Sequence, residues 1–219
     1  MVNSVLLHPY QIMTNEIAAR QPLNFSQIAF LKSSPSLAQC PPDVGIEVAF
    51  VGRSNAGKSS AINTITGKHA LARTSKTPGR TQLINFFKMD DDRRLVDLPG
   101  YGYAKIPRHV QEQIERILTD YLSGRQCLQG LVMLMDIRHP LMPSDKLFID
   151  FAASNELPVH ILLTKSDKLK RGASQQALLK TRHELSAHAS ISVQTFSSLK
   201  NMGIDEAKIK LAQWFSFDE

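Results

Sequence analysis

A glycine-rich stretch in the first third of the chain has the composition and spacing of a phosphate-binding loop. Its pattern is G-x-x-x-x-G-K-S, and its residues are Gly52, Arg53, Ser54, Asn55, Ala56, Gly57, Lys58 and Ser59. Glycines let the backbone wrap closely around an anion, and the N–H groups of a helix start can then donate to phosphate oxygens. Lys58 would contact the β- and γ-phosphates as a candidate catalytic residue. Ser59, next to Ser60 in the same loop, would bind Mg²⁺.

The residues around this loop favour that interpretation over a chance glycine-rich turn. The apolar run 46–51 precedes it, and residues 60–65 follow with apolar side chains at helical spacing. A buried strand, a tight turn and a helix start are the context that a phosphate-binding loop needs. The stretch therefore predicts a nucleotide site but does not identify the nucleotide.

A second motif, Asp97-Leu98-Pro99-Gly100, stands at the end of a short apolar strand, 39 residues after Lys58. The carboxyl ends of parallel strands line the ligand crevice of an α/β sheet, so Asp97 should lie close to Lys58. Its carboxylate would bind the magnesium shell, and the Gly100 N–H would contact the γ-phosphate. This predicts a nucleotide-sensing segment with Gly100 as a candidate catalytic residue.

A third motif, Thr164-Lys165-Ser166-Asp167, directly follows the apolar strand 159–163. The Asp167 carboxylate can accept two hydrogen bonds, from the guanine ring N–H and from its exocyclic amine. Adenine offers no such pair of donors, so it would leave buried polar groups unpaired. The Lys165 stem would cover one face of the base. The motif therefore predicts guanine as the base.

Two further segments would complete the site. Phe196, Ser197 and Ser198 follow the last predicted strand, and their backbone N–H groups are candidates for the guanine carbonyl. The loop before Leu83 should supply a threonine to the magnesium ion through a γ-phosphate-dependent switch. Thr81 is favoured over Thr77 for this catalytic and metal-binding role, and Gly79 belongs to the same nucleotide-contacting loop.

Three stretches together resemble the EngB (YihA/YsxC) family of bacterial GTPases, within the Era/TrmE-like group. They are 52–60, 76–87 and 97–105, and the resemblance extends from about Phe25 to Trp214. It implies a magnesium-dependent, cytoplasmic GTPase that is needed for assembly of the large ribosomal subunit and for normal cell division and septation. Its partners would be GTP or GDP and the large subunit or its precursor, with no membrane, and the default oligomeric state is a monomer.

Two positions, Thr164 and Tyr101, depart from the broader GTPase pattern, and a third, Asn55, matches related GTPases. Thr164 stands where most GTPases have asparagine, which predicts a weaker bond to the N7 edge of the base. Tyr101 stands where Ras-like enzymes have the water-orienting glutamine, so intrinsic hydrolysis should be slow. Asn55 matches the asparagine that helps related GTPases to bind K⁺, and an equal alternative is that its side chain braces its own loop.

Strand and helix patterns alternate from Ile46 onward and predict the frame that holds these motifs. The expected fold is α/β, a doubly wound, mostly parallel sheet of about six to seven strands with helices on both faces. The acidic turn 90–92 predicts a hairpin with one antiparallel strand at the sheet edge, and 28–31 an extra strand. Ser144 is the expected cap of one helix, and other helices are expected at 175–188 and 204–215. Residues 1–24 are expected to form a poorly structured arm and 25–219 a single GTPase domain.

The amino-acid composition limits the class of protein but does not identify its function. The chain has 219 residues, 42% of them hydrophobic, which suits one well-buried domain. Two widely spaced cysteines support neither a disulfide framework nor a zinc site, and the apolar runs are strand-sized. A net charge of +6 fits a polyanionic partner or simply a basic surface. A nucleotide-dependent interaction module with negligible catalysis and a P-loop small-molecule kinase are the alternative functions.

Overall fold

The computed structural model describes residues 23–72, 83–102 and 106–216. Seven strands form one sheet: β1 (Ala29–Ser34), β2 (Ile46–Gly52), β3 (Ile84–Lys88), β4 (Arg93–Asp97), β5 (Leu128–Asp136), β6 (Val159–Thr164) and β7 (Ile191–Thr195). The helices are α1 (Lys58–Thr66), α2 (Arg108–Gly124), α3 (Pro143–Ser154), α4 (Arg171–Glu184) and α5 (Ile204–Phe215). No helix in the three described ranges is both long and apolar enough to span a bilayer.

The strand order is β1-β3-β4-β2-β5-β6-β7, and β2, β4, β5, β6 and β7 pair in parallel. The predicted mostly parallel sheet is therefore confirmed. β3 is antiparallel to both of its neighbours, as the acidic turn indicated, but it is not the edge strand. The extra strand predicted near Ile28 forms β1 and covers that edge. The hairpin pattern predicts that β3 pairs with β4, because the two strands are adjacent along the chain. The pairing of β3 with the distant β1 leaves no such local signal in the sequence.

Helices cover both faces of the sheet, because the central strands are apolar on both sides. α1 and α5 pack on one face around Trp214, and α2, α3 and α4 pack on the other around Tyr121. Gly130 in β5 makes room for Trp214, since a Cβ added there would lie 2.4 Å from the indole ring. The helices thus fix the sheet between two cores and leave its carboxyl edge to carry the loops.

Most element boundaries follow the apolar pattern, and two differ from the expectation. α5 has the predicted bounds, whereas α4 begins and ends four residues earlier than predicted. Its first turn, 171–174, carries no large apolar residue that would reveal the helical period. Ser144 does not cap α3. The helix begins at Pro143, and the carboxylate of Asp145 accepts a hydrogen bond from the Met142 N–H instead.

A buried ionic cluster stabilises the opposite end of β2. The Glu47 carboxylate, which is fully buried, accepts hydrogen bonds from Arg94 (2.7 Å), Arg125 (2.6 and 2.8 Å) and the Tyr121 hydroxyl (2.6 Å). The two guanidinium groups also donate to carbonyls of the connecting segment 41–44. Arg94 and its neighbour Arg93, which pairs with Asp90, are buried, so neither contributes to an exposed basic surface.

Candidate functional site

The phosphate-binding loop joins β2 to α1 in the conformation that its sequence predicts. Gly57 has a φ of 93°, and Asn55 has a φ of 63°, both in the left-handed region. The helix begins at Lys58, and its ladder starts with the bond from the Ala61 N–H to the Gly57 carbonyl (2.9 Å). The first-turn N–H groups therefore have no helical acceptor and can donate to an anion.

Asp97 lies beside the loop because β4 is parallel to β2. Phe50 pairs with Asp97 in the register, two residues before β2 ends at Gly52. The Lys58 ammonium forms an ion pair with the Asp97 carboxylate, and both side chains are largely buried. Ser59 follows Lys58 in the first turn of α1, so this end of the helix offers a hydroxyl and Asp97 a carboxylate, both ligands that Mg²⁺ prefers. The donor set fits magnesium, although the predicted third ligand, Thr81, lies outside the described residues, as do Thr77 and Gly79.

Gly100 is buried, and the residue after it is attached to the phosphate-binding loop. The Tyr101 N–H donates to the Gly52 carbonyl (3.3 Å), and the Ser54 N–H donates to the Tyr101 carbonyl (3.1 Å). The phenol points to α3, where its hydroxyl donates to Asp145 (2.9 Å) and its ring stacks on Phe148 with centroids 5.1 Å apart. Burial, together with the Asp145 charge, raises the pKa of Tyr101 well above its ordinary value. This side chain is a neutral packing group whose hydroxyl is bound to Asp145.

Thr164 and Lys165 fix the base-recognition loop to the phosphate-binding loop. The Thr164 hydroxyl lies 2.6 Å from the Ala56 carbonyl oxygen, and the Lys165 ammonium donates to the Asn55 carbonyl (2.7 Å). Lys165 also forms an ion pair with Asp136 at 3.0 Å. Thr164 is buried, so its hydroxyl joins two protein segments, and the expectation that it bonds the N7 edge of the base gains no support. The two loops thus form one continuous rim.

Asp167 is held in place by the segment after β7. Its carboxylate accepts a hydrogen bond from the Ser197 hydroxyl (2.5 Å), which in turn accepts from the Lys200 N–H (3.2 Å). The Ser197 N–H donates to the Met202 carbonyl (3.0 Å) and the Phe196 N–H to the Leu163 carbonyl (2.8 Å).

These bonds correct the expectation for Phe196 and Ser197. Phe196 is a core side chain, and Ser197 positions Asp167, while both of their amides already donate to protein carbonyls. Only Ser198, which is partly buried, keeps the role that was predicted for all three.

Asn55 is exposed at the outer turn of the loop. Its backbone carbonyl accepts from Lys165, but its side chain makes no hydrogen bond to any residue of the three described ranges. The alternative that this side chain braces its own loop has no contact there to support it. The potassium hypothesis stays a prediction.

Two acidic residues of the site did not emerge from the sequence. Asp136 ends β5 and holds both Lys165 and Arg138, whose hydrogen bonds lower the pKa of Asp136 well below its ordinary value. The strand-end rule that identified Asp97 would also have identified Asp136. Asp145 has no such signal, because its contacts with Arg53 and Tyr101 join segments that are distant along the chain.

Comparisons with known proteins agree with this geometry. The family model described as "50S ribosome-binding GTPase" matches residues 47–165. The "Probable GTP-binding protein EngB" of Enterobacter sp. (strain 638) is 54% identical over 194 residues, which cover 88% of this chain and 93% of that protein. The protein of the same name from Coxiella burnetii (strain CbuK_Q154) is 53% identical over 193 residues, 88% of this chain and 94% of that protein.

Two solved structures show the same fold. The crystal structure of a probable GTP-binding protein engB has a TM-score of 0.63 at 24% identity, covering 77% of this chain and 98% of that one. Era of Aquifex aeolicus has a TM-score of 0.64 at 19% identity, covering 80% of this chain and 58% of that one. The fold and the site therefore define a GTPase of the P-loop class. Within that class, the chain belongs to the EngB family of GTP-binding proteins.

Proposed function

We propose that this GTPase binds GTP and GDP at the rim formed by the phosphate-binding loop and the base-recognition loop, and that it uses the difference between the two nucleotides to control assembly of the large ribosomal subunit. The observation that carries the proposal is the hydrogen bond from the Lys165 ammonium to the Asn55 carbonyl, because it joins the base-recognition loop to the phosphate-binding loop. In this arrangement Asp167 accepts from the guanine ring N–H and exocyclic amine, and the Ser198 N–H donates to the guanine carbonyl.

The same rim provides the groups for the phosphates and the metal. The first-turn amides of α1 and the Lys58 ammonium bind the phosphates, which requires Lys58 to exchange its Asp97 partner for a phosphate oxygen. Ser59 and Asp97 hold the magnesium ion, with Thr81 as the proposed third protein ligand. When bound, the ion neutralises charge that develops on the phosphate oxygens. The Gly100 N–H contacts the γ-phosphate, and Gly79 lies in the same nucleotide-contacting loop.

Slow intrinsic hydrolysis follows from the position of Tyr101. Its hydroxyl donates to Asp145, so it is not available to orient an attacking water. A group from outside the chain, or K⁺ held through Asn55, would then supply the missing stabilisation. The protein acts as a timer that stays in its GTP form until a partner completes the site.

The proposed partner is the large ribosomal subunit or its precursor in the cytoplasm, with normal cell division and septation depending on that assembly. The family description and the resemblance support this partner. Exposed basic side chains also follow β6 and β7 at the same sheet edge as the nucleotide site, namely Lys168, Lys170, Arg171 and Lys200. Basic groups of this kind bind RNA phosphates by releasing counterions. A monomer is the proposed state.

A nucleotide-dependent interaction module with negligible catalysis remains the second candidate, and it is favoured by the engagement of Tyr101 with Asp145. A small-molecule kinase is disfavoured, because such an enzyme has no use for a loop that recognises guanine.

Co-sedimentation with purified ribosomal subunits tests the proposal. The protein is incubated with large or small subunits in the presence of GDP, GTP or a non-hydrolysable GTP analogue, and bound protein is measured after centrifugation. We expect binding to the large subunit that is stronger with the analogue than with GDP. Equal binding in all nucleotide states would contradict the switch, and no binding in any state would contradict the assembly role.

A further inference from the structure

A fully buried carboxylate, that of Asp145, lies where the first turn of α3 meets the nucleotide site. It accepts hydrogen bonds from the Tyr101 hydroxyl (2.9 Å) and the Met142 N–H (3.0 Å), and it pairs with the Arg53 Nε at 3.2 Å. Its side chain has 0% exposure. None of the nucleotide-binding motifs accounts for this group.

The partners of Asp145 come from both sides of the phosphate-binding region. Arg53 is the second residue of the phosphate-binding loop, and it also donates to the His139 carbonyl (2.9 Å). Tyr101 is the residue after Gly100, and its backbone is bonded to Gly52 and Ser54. Asp145 therefore links the loop that would cradle the β-phosphate to the segment that would contact the γ-phosphate.

Gly102, which follows Tyr101, lies close to side chains of the phosphate-binding loop and of α3. Gly102 has a φ of 66°, and a Cβ at this position would lie 3.3 Å from both the Arg53 Cγ and the Ser144 Oγ. The stacked rings of Tyr101 and Phe148 close the other side. Residues 100–102 thus lie between the phosphate-binding loop and α3, held by the contacts of Tyr101.

Part of the role of Asp145 is structural, because its carboxylate accepts a hydrogen bond from the Met142 N–H in a capping box at the start of α3. The contacts with Tyr101 and Arg53 go beyond that cap. Removing a carboxylate from water is costly, and an ion pair in a protein interior seldom adds more stability than apolar side chains of the same size. What such a group provides is a defined geometry, because its hydrogen bonds are directional.

We propose that Asp145 is a positioning residue for recognition of the γ-phosphate. By holding Tyr101 and Arg53 together, it fixes the backbone at Gly100 at the distance from the phosphate-binding loop at which the Gly100 N–H meets a γ-phosphate but not a β-phosphate. The inference rests on the proposed function, and it adds α3 to the elements that distinguish GTP from GDP.

Asp145→Asn tests this role at nearly constant volume. An amide keeps one acceptor but turns an N–H₂ group toward either the Tyr101 hydroxyl or the Met142 N–H, and it removes the charge that pairs with Arg53. The link is therefore weakened without creating a cavity. The dissociation constants of a fluorescent non-hydrolysable GTP analogue and of the matching GDP derivative are measured by titration. We expect about tenfold weaker binding of the GTP analogue, as for the loss of one charge-assisted hydrogen bond, and a change of less than about twofold for GDP. Asp150→Asn, an exposed position on the same helix, is the control and should change neither constant.

Tyr101→Phe removes only the hydroxyl that donates to Asp145. This second variant tests the same link if Asp145→Asn folds poorly. The same selective loss is expected, and combining it with Asp145→Asn should add little, because both changes break one link. Equal weakening of GTP and GDP, tighter GTP binding, or additive losses in the double variant would overturn the inference. Failure of the wild-type protein to prefer guanine over adenine nucleotides would instead overturn the proposed function on which the inference rests.

Discussion

At the scale of single residues, the specificity of the site depends on the Asp167 carboxylate and the groups that hold it. The Ser197 hydroxyl donates to this carboxylate at 2.5 Å, so Asp167 is oriented before any base arrives. Such preorganisation lowers the entropy lost on binding. The proposed guanine recognition would therefore depend on two segments, one after β6 and one after β7.

Asp167→Asn should weaken GTP binding by at least about 100-fold, because an amide cannot accept two charge-assisted hydrogen bonds from guanine. Ser197→Ala should have a smaller effect, about three- to tenfold, since it removes only the group that orients the carboxylate. Both are measured by nucleotide titration with circular dichroism to confirm the fold. If Asp167→Asn binds GTP as tightly as the wild type, the assignment of the base site is wrong.

The potassium hypothesis for Asn55 gives a second prediction at this scale. If the exposed side chain helps to bind K⁺, GTP hydrolysis should be faster in potassium than in sodium at equal ionic strength. Asn55→Ala should remove the difference while leaving hydrolysis in sodium unchanged. Identical rates of the wild-type protein in the two salts would eliminate the ion from the mechanism.

Residue-scale predictions from the sequence succeeded where a role belongs to a contiguous motif. The fit of 52–59 to a strand, turn and helix start depends on neighbours along the chain, and the structure has that conformation. The positions of Tyr101 and Ser197 were not predictable in this way. Their side chains are oriented by Asp145 and Asp167, which are 44 and 30 residues away.

At the scale of elements, the parallel pairing of β2 and β4 brings Asp97 to Lys58. The alternating strand and helix pattern was enough to predict that the two residues lie close together, but not which strands pair. The sequence did not reveal that β1 lies outside β3. It also did not reveal that a buried ionic cluster anchors the amino end of β2. Both features depend on contacts between distant segments, and charged residues such as Arg94 resemble surface residues until their partner Glu47 is located.

Glu47→Gln should lower the free energy of unfolding by about 3–5 kcal/mol, because it leaves the buried Arg94 guanidinium without a counter-charge and that of Arg125 with only Asp43, at 3.6 Å. Urea unfolding at pH 7 measures the change. Asp91→Asn, which breaks the exposed pair with Lys88, is the matched control and should have no measurable effect. A loss of less than about 1 kcal/mol for Glu47→Gln would show that the cluster does not stabilise β2.

The buried ionic cluster around Glu47 should make the free energy of unfolding depend on pH. Burial by itself would raise the pKa of Glu47, but hydrogen bonds from Arg125 and Tyr121 outweigh it and leave the pKa below its ordinary value of 4.5. A lowered pKa contributes stability that is present above that value and is lost as the pH falls through the pKa of the folded protein. The stability difference between wild type and Glu47→Gln should therefore shrink in acid. A difference that stays constant down to about pH 3 would contradict this sign.

At the scale of the whole molecule, nucleotide and partner are expected at the same edge of the sheet. The exposed basic residues after β6 and β7 lie next to the base-recognition loop. α2, in contrast, packs on one face of the sheet, and its exposed charged residues lie there. Reversing one charge beside the base loop should therefore affect binding to the ribosomal subunit more than reversing one on α2.

Arg171→Glu should weaken binding to the large subunit and make it less sensitive to salt, since fewer counterions are released. Arg116→Glu, an exposed position on α2, makes the same change in net charge and should have little effect. Co-sedimentation at several salt concentrations gives, for each variant, the slope of the binding constant against salt concentration on logarithmic scales. Equal losses in the two variants would indicate that net charge alone drives the association.

The central claim is that this GTPase keeps GTP until the ribosomal particle completes its site, and single-turnover hydrolysis tests it most directly. Labelled GTP is bound to an excess of protein, and phosphate release is followed for the protein alone, with purified large subunits, and with small subunits as a control. The account predicts slow release by the protein alone and a marked acceleration by large subunits only. Rapid release by the isolated protein, unchanged by large subunits, would contradict it.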